Sequence, residues 1–247
     1  SVTVIEEMSF NKCTNLAQIT IPSSVKTIGN NVFAECSSLT QINIPSSVKE
    51  LGVGDLRSCS SLQAITFPSL ISSINRSFFD NCTSLVQIII PSSVTVIQSG
   101  AFGRCSSLVH IEIPSSVTDI GKGCFADCTS LTHITLPQIT RIEDHLFNRC
   151  NSLQQIEIPS SVTYIGVKAF SQCSALQQIE IPSSVNLIST DAFTECVSLE
   201  QVKIYSSSIT VESDAFYYCT ALKTVTIPSS TKINIEAFPK YVEIKRV

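Results

Sequence analysis

One spacing constrains this chain more than any other feature. Ten cysteines stand at 13, 36, 59, 82, 105, 128, 150, 173, 196 and 219, and every interval is 23 residues except one of 22. A fixed period of this length marks a solenoid, whose units cannot bury their apolar faces alone and must stack. Other columns keep the same step. A Phe stands three residues before the Cys at Phe33, Phe79, Phe102, Phe125, Phe147, Phe170, Phe193 and Phe216, and with Phe10 and Phe238 the column takes ten of the twelve phenylalanines. A Leu follows each Cys by three residues, and β-branched residues follow by six and eight, as at Ile42/Ile44 and Ile111/Ile113. Pro comes next, usually with Ser-Ser-Val. One unit reads L-x-x-I-x-I-P-S-S-V-x-x-I-G-x-x-A-F-x-x-C, and about ten of them make a single domain over residues 1–247.

The alternation in L-x-x-I-x-I predicts a short half-buried strand, ended by a Pro that donates nothing to a ladder. The I-G pair is expected to turn the chain, with Gly29, Gly52, Gly121 and Gly166 free to take positive φ. A-F-x-x-C fits one helical or 3₁₀ turn that points Phe and Cys inward. The fold class expected is an α/β repeat solenoid with short parallel strands on one face.

These columns resemble the BspA-like leucine-rich repeats, also called the TpLRR type, over essentially the whole chain. The resemblance implies a right-handed, curved array. It also implies a cell-surface or secreted protein, since members are largely of that kind in bacteria and in parasitic or commensal protists. Some members bind host proteins such as fibronectin and fibrinogen. The function this implies is a protein-binding module, an adhesin for host or matrix proteins. The alternative is an intracellular or structural scaffold, or the sensor array of a larger protein.

Composition narrows the partners. Charged residues are 15% of the chain and the net charge is −4, which leaves no clustered Lys and Arg to neutralise a nucleic acid. No apolar run reaches the length of a membrane span, and the N-terminus lacks a signal-peptide pattern. The eleven cysteines contain no C-x-x-C pair for zinc; the nearest two are Cys124 and Cys128, with Cys124 in a slot held elsewhere by Ala. Equivalent Cβ vectors in stacked units run parallel, which disfavours disulfides, so a buried, reduced column is expected. No cofactor, metal site or enzymatic activity is expected, because His110, His133 and His145 fit no triad motif.

Function is therefore sought on the outward columns of the strands. Five residues after the Cys the column runs mostly Gln and includes Gln87, His110, His133 and Gln178; seven after, it includes Ile89, Glu112, Glu157 and Glu180. These eight residues form the candidate binding face. Stacked Gln amides are expected to bond from unit to unit. His110 and His133, adjacent in one column beside the glutamates, are the only metal candidates, and they lack a third good ligand.

Irregular units come next. Pro137-Gln138-Ile139-Thr140-Arg141 is one residue short, Leu56 replaces Phe, Phe67 replaces Ile, and Tyr205 replaces Pro. Compensating size changes are favoured over a bend that shapes a partner surface. Asn75-Arg76-Ser77 and Asn81-Cys82-Thr83 are sequons. Val2 and Ile5 match Val25 and Ile28, while Phe238, Tyr241, Ile244 and Val247 match the Phe, Cys, Leu and Ile columns. The chain thus reads as a fragment of a longer array, starting and ending in mid-repeat, with end-to-end self-association expected at an uncapped N-terminal strand edge.

Overall fold

The computed structural model describes all 247 residues. It is a parallel β-solenoid of about eleven turns, and no helix is long and apolar enough to cross a membrane. The alternating segment does form strand: Gln41–Asn43, Ala64–Thr66, His110–Glu112 and His133–Thr135, and, longer by one residue, Gln178–Ile181, Gln201–Ile204 and Thr224–Ile227. Pairing is parallel and in register, so that Ile42 lies opposite Ile65 and Ile111 opposite Ile134. Central residues such as Ile42, Ile111 and Ile134 point into the core, and their neighbours face outward.

Most units also carry a second ladder, where the I-G pair is expected to give only a turn. After Pro, the Val N–H closes onto the Pro carbonyl, as from Val25 to Pro22 at 3.0 Å, and two residues then extend before the Gly column. Ser73–Ile74, Val96–Ile97 and Asp119–Ile120 pair in one side sheet, and Arg141–Ile142, Tyr164–Ile165, Leu187–Ile188 and Thr210–Val211 in another. The second Ser of Ser-Ser-Val locks this corner. The Ser47, Ser93 and Ser161 hydroxyls donate to the carbonyls of Val25, Ile71 and Ile139 one unit back, at 2.6, 2.7 and 2.6 Å.

The A-F-x-x-C stretch is not helical. The only helical segment is a 3₁₀ turn at Ile235–Ala237. Elsewhere positive φ recurs at the residue before every one of the ten Cys, Glu35 at 62° and Arg149 at 61° among them. These turns aim the N–H groups of alternate residues at the next unit: Asn31, Phe33 and Glu35 donate to Val53, Asp55 and Arg57 at 3.0, 3.0 and 2.7 Å. A helical turn would spend those donors locally. The glycines after Ile also play another part. Positive φ falls five residues before Cys, where Gly54, Gly100 and Gly123 stand, and not at Gly29, Gly52, Gly121 or Gly166. Those four are needed for close approach: a Cβ at Gly121 would lie 2.5 Å from the Ser99 nitrogen, and one at Gly166 would lie 2.6 Å from that of Asp144.

One contiguous core of 72 buried residues runs the length of the array. Phe rings stack through it at 4.9 to 5.7 Å from Phe79 to Phe238. All eleven cysteines are free thiols and ten are buried, with Cys13 partly so. Nine of the eleven thiols donate to a backbone carbonyl, Cys13 and Cys124 being the exceptions. Cys59, Cys128 and Cys150 donate to the carbonyls of Phe33, Phe102 and Phe125 in the preceding unit, all at 3.1 Å. Cys therefore combines a small apolar volume with a weak donor. Burial pushes the Cys36 thiol up to about 11 and Cys59 to about 12, which keeps these groups protonated.

The irregular units have physical accounts. Leu56 leaves volume in the Phe column, and Phe78, in the small-residue slot of the next unit, supplies it; its ring lies 4.7 Å from Phe79 and 6.4 Å from Phe67. Asp55 of the same unit accepts from the Gly52 and Val32 N–H groups at 2.6 and 3.3 Å, and the Asn75 amide donates to the Leu51 carbonyl. These side chains replace side-ladder bonds that are missing there. In the short unit, the Ile139 N–H reaches the Pro137 carbonyl at 2.7 Å, a tighter turn than the Val162 to Pro159 bond of the next unit. The two side sheets part at this unit, between Ile120 and Arg141. Tyr205, unlike Pro, has an N–H, which donates to Ile181 at 2.9 Å. The last unit departs from the expected alignment. Ile244 pairs with Val225 and so occupies the first Ile position, not the Leu position, because Pro239 and the 3₁₀ turn shorten the return.

Candidate functional site

All eight candidate side chains are exposed on the face formed by the first strands. His110 lies opposite His133 and Glu112 opposite Thr135, while Ile89 bridges to Glu112. The imidazoles are parallel, with centroids 6.5 Å apart and an interplanar angle of 3°. His110 Nε2 is 3.6 Å from Glu112 Oε1, and His133 Nε2 is 3.4 Å from Thr135 Oγ1. No three His, Cys, Asp or Glu side chains converge as a metal site would need. The expected Gln ladder is not formed. Unit-to-unit amide bonds occur elsewhere, from Gln98 to Asn75 and from Gln172 to Glu195.

The face has relief. A depression of about 650 Å³ is lined by Gln63, Ala64, Gln87, Ile89, His110 and Glu112, among others, where strand pairing lapses between Ala64–Thr66 and His110–Glu112. A smaller one of about 370 Å³ joins Gln155, Glu157, Gln178 and Glu180 to Tyr205. Tyr205 was not among the candidates drawn from sequence, although its replacement of Pro was the available signal. Its hydroxyl donates to Glu180 at 3.2 Å, and Lys203 Nζ donates to the same carboxylate at 2.9 Å. The Lys203 hydrogen bond, helped by Tyr205, holds the Glu180 carboxyl below its ordinary range.

On the turn side, charges are spent on one another. Asp80 takes Arg104 Nε at 3.0 Å and lies 3.4 Å from Arg57 Nε. Burial would raise Asp144, yet Lys122 at 2.7 Å, the Tyr164 hydroxyl at 3.0 Å and the Val167 N–H at 3.0 Å together hold it below the usual carboxylate range. The sequon amides are engaged as well: Asn75 binds Leu51 and Asn81 donates to Ser58 Oγ at 3.3 Å.

Known proteins place this geometry. The BspA type leucine rich repeat region matches in six copies over residues 1–109, 57–165 and 140–247. The T. pallidum leucine rich repeat protein is 31% identical, with a TM-score of 0.63 over 70% of this chain and 82% of its own. A leucine rich cell surface protein from Faecalibacterium prausnitzii is 27% identical, with a TM-score of 0.56 over 99% of this chain and 83% of its own. A leucine-rich repeat protein from Bacteroides ovatus, at 24% identity and a TM-score of 0.61 over 100% of this chain and 76% of its own, shares the fold. No curated protein matches. With the repeat matched from end to end, the chain belongs to the BspA-type leucine-rich repeat family.

Proposed function

We propose that the chain is a non-enzymatic adhesive module, displayed at a cell surface or secreted, whose strand face binds a protein of the host or matrix. One observation carries this reading: eight outward side chains of mixed chemistry line one face of a continuous array, and the depressions on it are open. Such a surface suits a macromolecule better than a metabolite, which needs an enclosing pocket. Leucine-rich repeats of this type generally act in protein interaction, and a relative of this fold is a cell surface protein. The test is surface plasmon resonance of the purified chain against extracellular-matrix and plasma proteins, with a His110→Ala/His133→Ala/Glu157→Ala variant beside it. Saturable binding that the variant weakens is the expected result. Binding that ignores the variant would move the site to the turn side, and no binding across the panel would favour a scaffold.

A further inference from the structure

We propose that Ile89 anchors an extended, basic segment of the partner polypeptide, in which an apolar side chain is followed on the same face by two Lys or Arg side chains. This rests on the protein-binding reading and names the partner's chemistry. Ile89 is 88% exposed in a column that otherwise holds Thr, Asn, Glu and Lys. Ile65 and Ile113, both half-buried, line the same depression as Ile89. Isolated exposed apolar residues are ordinary, but an outward Ile beside two half-buried ones in one depression of about 650 Å³ forms the kind of patch that partners cover.

Charge along the same column gives the direction. Before Ile89 the column is uncharged at Thr20, Asn43 and Thr66; after it come Glu112, Glu157 and Glu180. Glu180 is already matched by Lys203. Glu112 meets only His110, at 3.6 Å, and Glu157 is exposed without an ion-pair partner. The two available carboxylates stand one and three units beyond Ile89, roughly 5 and 14 Å away at about 4.8 Å per unit. A strand crossing the array puts residues i, i+2 and i+4 on one face at steps of about 6.7 Å. An apolar residue at i therefore seats on Ile89 while basic residues at i+2 and i+4 reach Glu112 and Glu157, the long stems taking up the remaining distance.

The test is isothermal titration of the whole chain with the blocked heptapeptide Gly-Leu-Ser-Lys-Ser-Lys-Gly. Two controls replace its Leu by Ser, or both Lys by Glu. The parent peptide is expected to bind saturably, and each control, like each of Ile89→Thr and Glu157→Gln, to weaken it at least about fivefold. Ile89→Thr installs the column's commonest residue, so folding is preserved, and circular dichroism checks it. No parent binding, equal binding of the Ser control, or indifference to Ile89→Thr would overturn the anchor. Proteins captured in the resonance panel with unchanged affinity for Ile89→Thr would refute the anchor and leave the adhesive function standing. Peptide binding that follows the pattern, with no panel protein captured, would support the anchor and count against the adhesin.

Discussion

At Asp55 a carboxylic acid occupies the slot that Ala101, Ala169 and Ala192 hold in other units, and it is 2% exposed. Burial drives its pKa from 3.8 up to about 7, while the Val32 and Gly52 N–H groups oppose the rise. The folded state therefore binds more protons than the unfolded chain between those two values. Stability contributed by this group is full below pH 3.8, falls as pH rises through the interval, and levels off above 7. The interval corresponds to about 4 kcal/mol. Asp55→Asn keeps an oxygen acceptor but removes the charge, so it should abolish this slope. Urea unfolding at pH 5 and pH 8 compares the two proteins: the wild type should lose stability relative to the variant at the higher pH, and parallel behaviour would rule out the buried acid. Cys shows the complementary case at this scale. Its burial follows from composition and spacing, but its donation to a Phe carbonyl one unit back needs the folded stack to be seen.

At the scale of the element, the short unit shows what one residue does. In regular units the residue after the second strand donates to the Ile carbonyl one unit back, as Gly121 does to Ile97 and Gly166 to Ile142, both at 2.8 Å. Between Ile120 and Arg141 the side ladder is absent, and Glu143 has no such bond. Its amide should exchange with deuterium at least about tenfold faster than those of Gly121 and Gly166, since exchange reports local opening. Inserting Ser after Pro137 restores the 23-residue step and should slow it; an amide already as protected as its neighbours would contradict the account. The period, the inward columns and the first strand were legible because Leu, Ile, Phe and Cys recur at fixed steps. The second ladder was not, because two residues such as Thr27–Ile28 are too few to show alternation. Nor was the turn, whose positive φ is carried by residues as unlike as Lys12, Glu35 and Tyr218. On the candidate face, exposure could be read from the alternation around His110, while the lapse in pairing that opens the depression near Ile89 left no local mark.

Across the whole molecule, unequal joints between units decide how the array behaves. A solenoid's stability is a sum of unit terms and nearest-neighbour terms, so a weak junction limits how far a disturbance spreads. At the short unit two ladders lapse together: the side sheets part after Ile120, and strand pairing stops after Thr135. Apart from a long Gln154 to Thr132 bond at 3.4 Å, the hydrogen bonds that cross are on the turn side, where Phe125 and Asp127 donate to Leu146 and Asn148 at 3.0 and 2.7 Å, with the Phe125–Phe147 stack at 5.7 Å. The candidate face straddles this joint, with Ile89 and Glu112 on one side and Glu157 and Glu180 on the other. Phe193 lies well beyond it, fully buried and stacked on Phe170 and Phe216 at 5.0 and 4.9 Å. Phe193→Ala should cost about 3–5 kcal/mol locally. If the joint uncouples the halves, hydrogen exchange should accelerate in the strands from Arg141–Ile142 to Thr210–Val211. The sheet of Ser73–Ile74, Val96–Ile97 and Asp119–Ile120 should keep its protection. An equal loss in both sheets would mean that the Phe stack and turn-side bonds couple the array throughout, and the two parts of the candidate face would then move as one body.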